Sequence, residues 1–281
     1  MSRLVRFSLL FATICLLAGL SVAQRGGLPG QYGHGRRDAR NGVPDWELND
    51  QLPNDIFTFA RVRYNSAGRW RRDGVPVRWS IDYPDAELNL SYRLKEMTSM
   101  QVHPDGVVVD LRSPELYDHP FIYMIEAGDM VLSDAEARNL RRYLQNGGFL
   151  MFDDFWGEAD YWNVARQLKK VLPEYEPREI PLSHPIFKLV FPLKEKPQIP
   201  NVRTGTLSQY TGVTWETEDS KTPHYRGIFD SQGRLMVVIC HNTDLGDGWE
   251  QEGANHYFFK EFSEKKAYPL GINILTYTMS H

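Results

Sequence analysis

The sequence predicts an α/β domain built on a doubly wound, mostly parallel sheet. Two observations carry that reading. Short apolar runs alternate with helix-length amphipathic segments across short links, which is the pattern of β-α-β units. Gly147-Gly148 is followed by Phe149-Leu150-Met151-Phe152 and then by Asp153-Asp154, so a buried strand delivers acidic side chains to its carboxyl end, where open α/β sheets place their ligand sites.

Residues 1–23 carry Arg3 and Arg6, an apolar run from Leu9 to Leu20 and then Ser21-Val22-Ala23. This is the three-part form of a secretory signal with cleavage after Ala23; the alternative is an uncleaved anchor, although the run is short of the roughly 20 residues of a membrane span. Cys15 lacks the small preceding residue of a lipidation site. Residues 24–52 are rich in Gly and Arg and are expected to be a flexible linker, leaving residues 53–281 as a single α/β domain. The chain has 281 residues and a formal net charge of −4, two units more negative once Arg3 and Arg6 leave with the leader. Such a chain has no electrostatic reason to seek nucleic acid. Membrane contact is expected only through an uncleaved signal or the basic linker, and the oligomeric state is left open. Cys240 is the one cysteine beyond the leader, so no intramolecular disulfide can form and the fold must rest on its core.

The domain opens with a strand over 57–64, whose alternation turns Phe57 and Phe59 toward the core. A helix over 86–100 follows the loop Asp82-Tyr83-Pro84-Asp85. Strands are expected at 107–111 and 120–126, the second buried throughout. Ser133 and Glu136 form a capping box that starts a helix running to Gln145, which Asn146-Gly147-Gly148 ends. After the strand at 149–153, a helix over 157–172 turns Tyr161, Val164, Ala165, Leu168 and Leu172 to one face and stops at Pro173. Residues 179–212 contain five prolines and are expected to be a long stiff excursion without regular structure. A hairpin joins 226–229 to 234–240, and a helix over 268–277 closes the domain.

Neighbouring side chains on a strand leave on opposite faces. One of Asp153 and Asp154 is therefore expected to face the crevice, while the other caps the next helix or pairs with an arginine. Carboxylates with further oxygen ligands nearby suit Ca²⁺ or Mg²⁺, which makes Asp153, Asp154 and Asp244 the candidate metal ligands; helix capping is the competing role. Asn242-x-Asp244-x-x-Asp247-Gly248 lacks the alternation of an EF-hand loop, and a simple chain reversal is the alternative. If the two strand ends converge, they form an acidic crevice with His184 or His241 as proton carrier. The catalytic candidates are thus Asp153, Asp154, His184 and His241. Candidates for ligand contact are Tyr64 at the end of the first strand, Asp154, Phe155 and Trp156 after the central one, and Asn242, Asp244, Asp247 and Trp249 after the hairpin. Trp70, Trp79, Trp162 and Trp215 add to an unusual number of tryptophans, which serve either sugar stacking or the core. Cys240 reads as a buried structural thiol. There is no phosphate-binding glycine loop and no Gly-x-Ser-x-Gly elbow, and paired-cysteine zinc spacing is excluded.

Five segments together resemble the bacterial domain of unknown function family 4159: Phe59-Ala60-Arg61-Val62-Arg63-Tyr64, residues 147–155, Ser183-His184-Pro185-Ile186-Phe187, Asn242-Thr243-Asp244-Leu245-Gly246-Asp247 and Gly271-Ile272-Asn273. The resemblance implies a class I glutamine amidotransferase-like, flavodoxin-like fold and little chemistry. True class I amidotransferases carry a cysteine nucleophile at a tight strand-to-helix turn, where this chain has Asp153-Asp154-Phe155. Glutaminase activity is therefore not expected. The function expected is a non-catalytic binding or scaffold domain of the bacterial cell envelope, exported to the periplasm or beyond, that engages an envelope protein or glycan. The alternative is a metal-assisted hydrolase acting on an envelope carbohydrate or amide.

Overall fold

The computed structural model describes residues 40–49, 55–67, 71–72, 75–76 and 78–281. The expected signal peptide and residues 24–39 of the expected linker lie outside the described residues. Residues 40–49, assigned to the linker from composition, instead lie against the domain: Arg40 pairs with Asp105, and Trp46 Nε1 donates to the Val102 carbonyl at 2.7 Å. Among the described residues, no helix is long and apolar enough to cross a membrane.

Seven strands form the central sheet: β1 (Ala60–Arg63), β2 (Val107–Asp110), β3 (Phe121–Ile125), β4 (Phe149–Asp153), β5 (Arg178–Glu179), β6 (His224–Phe229) and β7 (Leu235–His241). Their spatial order is β5-β6-β7-β4-β3-β1-β2. The five strands β7, β4, β3, β1 and β2 run parallel, and β6 and β5 add an antiparallel edge. The chain therefore winds outward from β1 in both directions, and the carboxyl ends of the parallel strands lie along one edge.

Both faces of the sheet are covered. Helices α1 (Asp85–Met97), α5 (Leu245–Glu250) and α6 (Tyr268–Ser280) pack on the face that holds Phe59, Phe121, Phe149 and Met151. Helices α2 (Asp134–Gln145) and α3 (Gly157–Val171) cover the face that holds Val62, Ile122, Leu150 and Phe152. Fully burying a Phe or Leu is worth about 1.5–3 kcal/mol, so two covered faces explain why β3, and β4 and β7 up to their last residues Asp153 and His241, are apolar rather than alternating.

The capping box forms as read: Ser133 accepts from the Glu136 amide and Glu136 reaches back to the Ser133 amide at 2.8 Å. The expected first strand is interrupted. Ile56–Phe57 pairs with Gln101–Val102 outside the main sheet, and β1 begins only at Ala60. The proline-rich excursion also contains regular structure, a 3₁₀ turn at Pro185–Phe187 and helix α4 (Val202–Thr211). Asn201 caps α4 by accepting from the Thr204 amide at 2.9 Å, a signal that the prolines before it obscured.

Candidate functional site

Three adjacent parallel strands end in the same way. Glu126 after β3, Asp154 after β4 and Asn242 one residue beyond β7 all have positive φ, at 54°, 51° and 62°. Non-glycine residues adopt this conformation uncommonly, and such backbone clusters at functional sites. Backbone bonds tie the three turns together: Glu126 N donates to Asp153 O at 3.0 Å, Asp154 N to Thr243 O at 3.2 Å and Asn242 N to Phe155 O at 3.0 Å.

Asp82 joins this edge from the loop before α1, itself at φ 61°. Arg61, fully buried on β1, holds that loop from beneath: its Nη1 donates to Trp79 O at 3.1 Å and Ile81 O at 2.6 Å, while its Nε pairs with Glu87 of α1. The result is a trio of buried carboxylates. Asp82, Asp154 and Asp244 each bring one oxygen to within 4.8 Å of the others. Two oxygens bound to one Ca²⁺ at 2.3–2.6 Å are separated by at most about 5 Å, so the spacing suits a single ion.

The three are fixed by their neighbours. Asp154 Oδ1 accepts from Trp156 Nε1 at 3.0 Å, and Asp244 Oδ1 caps α5 by accepting from Asp247 N at 2.7 Å. Asp247 Oδ2 in turn accepts from Val202 N at 2.7 Å, at the start of α4. Among the described residues, Asp82, Asp154, Asp244, Asp247 and Glu250 form no ion pair with a basic side chain. Burial, and after it the neighbouring carboxylates, raise Asp82, Asp154 and Asp244 well above the ordinary carboxylate range, and raise Asp247 to about 7. Glu126 at the margin is also raised to about 7, mainly by burial and against the pull of Arg78, with which it pairs. All donors in the trio are hard oxygens, a set that suits Ca²⁺, Mg²⁺ or Mn²⁺.

The remaining sequence candidates take other positions. Asp153 points toward the opposite layer from Phe152 and belongs beneath the trio: its Oδ2 accepts from Tyr123 Oη at 2.8 Å and from Gly246 N at 3.0 Å. His241 is stacked between Phe155 and Tyr161 at centroid distances of 5.2 and 5.1 Å. Its Nε2 faces the Gly157 carbonyl at 2.9 Å and therefore carries the proton, which leaves Nδ1 to accept from Arg226 at 2.9 Å. Burial lowers this histidine to about 4, so it is neutral at pH 7. His184 packs against Phe229 and Tyr277. Phe229 pairs with Leu235, the first residue of β7, so His184 lies at the amino ends of the parallel strands, opposite the carboxylates.

Asn242 spends its side chain on structure, accepting from Gly157 N at 2.9 Å and donating to Thr222 O at 3.0 Å. Tyr64 Oη reaches the Ile125 and Glu126 carbonyls, both at 2.8 Å. Phe155 and Trp249 are buried in the core, Trp156 is half-buried at the trio, and Trp162 is exposed on α3. Trp70 lies outside the described residues. Cys240 is a buried free thiol. The sequence reading passed over Asp82 and Glu250. The signal for Asp82 was its place between the first strand and its helix, on the crossover that brings the loop to the carboxyl edge.

This edge contains residues from nearly the whole length of the domain, and the family comparison covers the same span. Residues 58–279 match the model of the domain of unknown function DUF4159. The chain belongs to the DUF4159 family. The matched region of this DUF4159 domain includes all five carboxylates at the strand ends, Asp82, Asp154, Asp244, Asp247 and Glu250. No curated protein matches the chain.

Proposed function

We propose that this DUF4159 chain is a cation-dependent binding domain, exported to the bacterial cell envelope, whose strand-end crevice uses a Ca²⁺ or Mg²⁺ ion to engage an envelope protein or glycan. The observation that carries the reading is the convergence of Asp82, Asp154 and Asp244, ligand oxygens within 4.8 Å, with no ion pair to a basic side chain among the described residues. Three like charges in a buried site are costly unless they are protonated or joined by a cation. A divalent ion bound there would be held by three protein oxygens and would keep coordination positions open for a ligand.

The order of the parallel strands supports an amidotransferase-like, flavodoxin-like superfamily, because the run β2-β1-β3-β4-β7 is the flavodoxin-like order 2-1-3-4-5. Asp154 stands at the left-handed turn after the central strand, while Cys240 is buried within β7. This supports binding over amide transfer, and the distance of His184 from the carboxylates and the neutral, fully engaged His241 support a non-catalytic site.

The test is thermal unfolding of the whole metal-stripped chain with Ca²⁺, Mg²⁺ or Mn²⁺. A ligand that binds only the native state at 100 times its Kd adds about 2.7 kcal/mol. The expected result is a cation-specific rise in Tm that disappears in Asp154→Asn and Asp244→Asn. Equal melting with and without every ion would overturn the proposal. One observation favours the metal-assisted hydrolase as a second reading: half-buried Glu126, raised to about 7, is poised as a general base beside the trio. Cation-dependent cleavage of a peptidoglycan preparation, lost in Glu126→Gln while cation binding persists, would establish it.

A further inference from the structure

Asp82 belongs to two carboxylate trios. Besides Asp154 and Asp244, its oxygens lie within 4.8 Å of ligand oxygens of Asp247 and Glu250. The four outer carboxylates each give one oxygen to a positioning hydrogen bond: Asp154 to Trp156, Asp244 to the Asp247 amide, Asp247 to the Val202 amide and Glu250 to the Gln251 side chain. Each keeps a second oxygen for the cluster, where Glu250 also meets the carboxyls of Asp82 and Asp247. Asp82 differs from them. It accepts no N–H among the described residues and its Oδ2 has no hydrogen-bond partner; its carboxyl otherwise meets only the Glu250 carboxyl, and it is 5% exposed.

The space around Asp82 is also specific. A Cβ on Gly246 would lie 2.4 Å from Asp82 Oδ2, so the absence of a side chain at Gly246 lets that oxygen reach the α5 backbone between Asp244 and Asp247. A buried polar atom without a partner carries a desolvation cost of about 1–3 kcal/mol, and a carboxylate at the junction of two trios recovers it by bridging two cations. The charge count agrees. When all five carboxylates are ionised, one divalent ion leaves the cluster strongly anionic and two bring it near neutrality.

We propose that the crevice is a dinuclear centre, with Asp154 and Asp244 on one divalent cation, Asp247 and Glu250 on the other, and Asp82 bridging them. This rests on the cation-binding reading above and extends it. Two ions sharing a carboxylate lie about 3.5–4 Å apart in such sites, a clamp that holds both oxygens of a phosphate or carboxylate group. The ligand class implied is therefore an anionic group with two oxygens rather than a neutral sugar.

The test is Mn²⁺ stoichiometry of the whole metal-stripped chain by elemental analysis after gel filtration, with electron paramagnetic resonance of the bound ions. The expected result is two Mn²⁺ per chain with a spin-coupled spectrum. Glu250→Gln should then hold one Mn²⁺ with an uncoupled six-line spectrum, and Asp82→Asn should lose the coupling. If Glu250→Gln fails to fold, Asp247→Asn serves the same purpose. One Mn²⁺ in the native chain, the other trio being held together by shared protons, overturns the dinuclear centre and leaves the single-cation reading standing. No bound Mn²⁺ overturns both.

Discussion

Tyr123 on β3 and Asp153 on β4 are joined by a 2.8 Å hydrogen bond in which the tyrosine hydroxyl donates. The same carboxylate oxygen accepts the Gly246 amide at 3.0 Å, so one buried side chain ties two strands to the start of α5. Asp153 thereby braces the crevice and belongs to neither carboxylate trio. Its pair with Tyr123 sets the height of α5, which bears Asp247 and Glu250 and is capped by Asp244.

Removing that donor tests the assignment. Tyr123→Phe leaves Asp153 buried with one fewer bond, and a lost bond to a charged or polar buried partner costs about 1–3 kcal/mol. Urea unfolding should register that loss. Mn²⁺ stoichiometry should stay unchanged, whereas a fall in the number of ions bound would make Tyr123 or Asp153 part of the coordination sphere.

Gly246 sets a second limit. An alanine Cβ there would meet Asp82 Oδ2 at 2.4 Å and Ile125 Cδ1 at 2.9 Å, and overpacking of this kind costs about 1–3 kcal/mol. The displaced oxygen is the proposed bridge, so Gly246→Ala should also weaken cation binding at least tenfold, or about 1.4 kcal/mol. Isothermal titration with Mn²⁺ separates the effects. Gly233, at φ 87° in the β6–β7 turn with open space around its Cβ position, offers a comparison: Gly233→Ala should destabilise and leave affinity as it was.

The layers of this domain were legible in the sequence because they rest on local patterns. Ser133 and Glu136 announce α2, and Phe149 to Phe152 announce a strand buried on both faces. The carboxylate edge was half legible, since Asp154 and Asp244 follow apolar runs directly. Asp82 was not, because its role depends on a clamp made by Arg61, an arginine buried in a strand where alternation predicts only an apolar or a solvent-facing residue. The partners of Asn242 and His241 were hidden for the converse reason. Their hydrogen-bonding capacity is consumed by Gly157, Thr222 and Arg226, partners remote in sequence that no local pattern reveals.

His241 makes the stability of the domain dependent on pH. Its folded pKa of about 4 lies below the unfolded value of about 6.5. Between those values the unfolded chain binds a proton that the folded chain does not, so stability falls as pH drops from about 6.5 toward 4, by about 3 kcal/mol in all. Arg226 and His224 from β6 oppose the charged form, Asp219 and the Gly157 carbonyl favour it, and Tyr161 and Phe155 exclude water around it. His241→Phe keeps the stack without the titration. Urea unfolding at pH 7, 6 and 5 should give a smaller acid loss in the variant than in the native chain, and equal slopes would show that His241 is charged in the folded state.

Arg61 and Glu87, both fully buried, form the ion pair that holds α1 to β1. Truncating one partner of such a pair strands the other charge and costs about 3–5 kcal/mol, whereas replacing both by apolar residues of similar volume is often neutral. Arg61→Met should therefore be severely destabilising, and Arg61→Met with Glu87→Leu should recover most of the loss, a coupling of 2 kcal/mol or more in a double-mutant cycle. Stability is only one of the two things Arg61 supplies. Its Nη1 also holds the carbonyls of Trp79 and Ile81, and Asp82 is the next residue along that loop. The double variant should fold nearly as well as the native chain and yet bind Mn²⁺ more weakly, because Asp82 has lost the clamp that orients it. Native affinity in the double variant would mean that the Asp82 loop is held by α1 alone and that Arg61 serves the core.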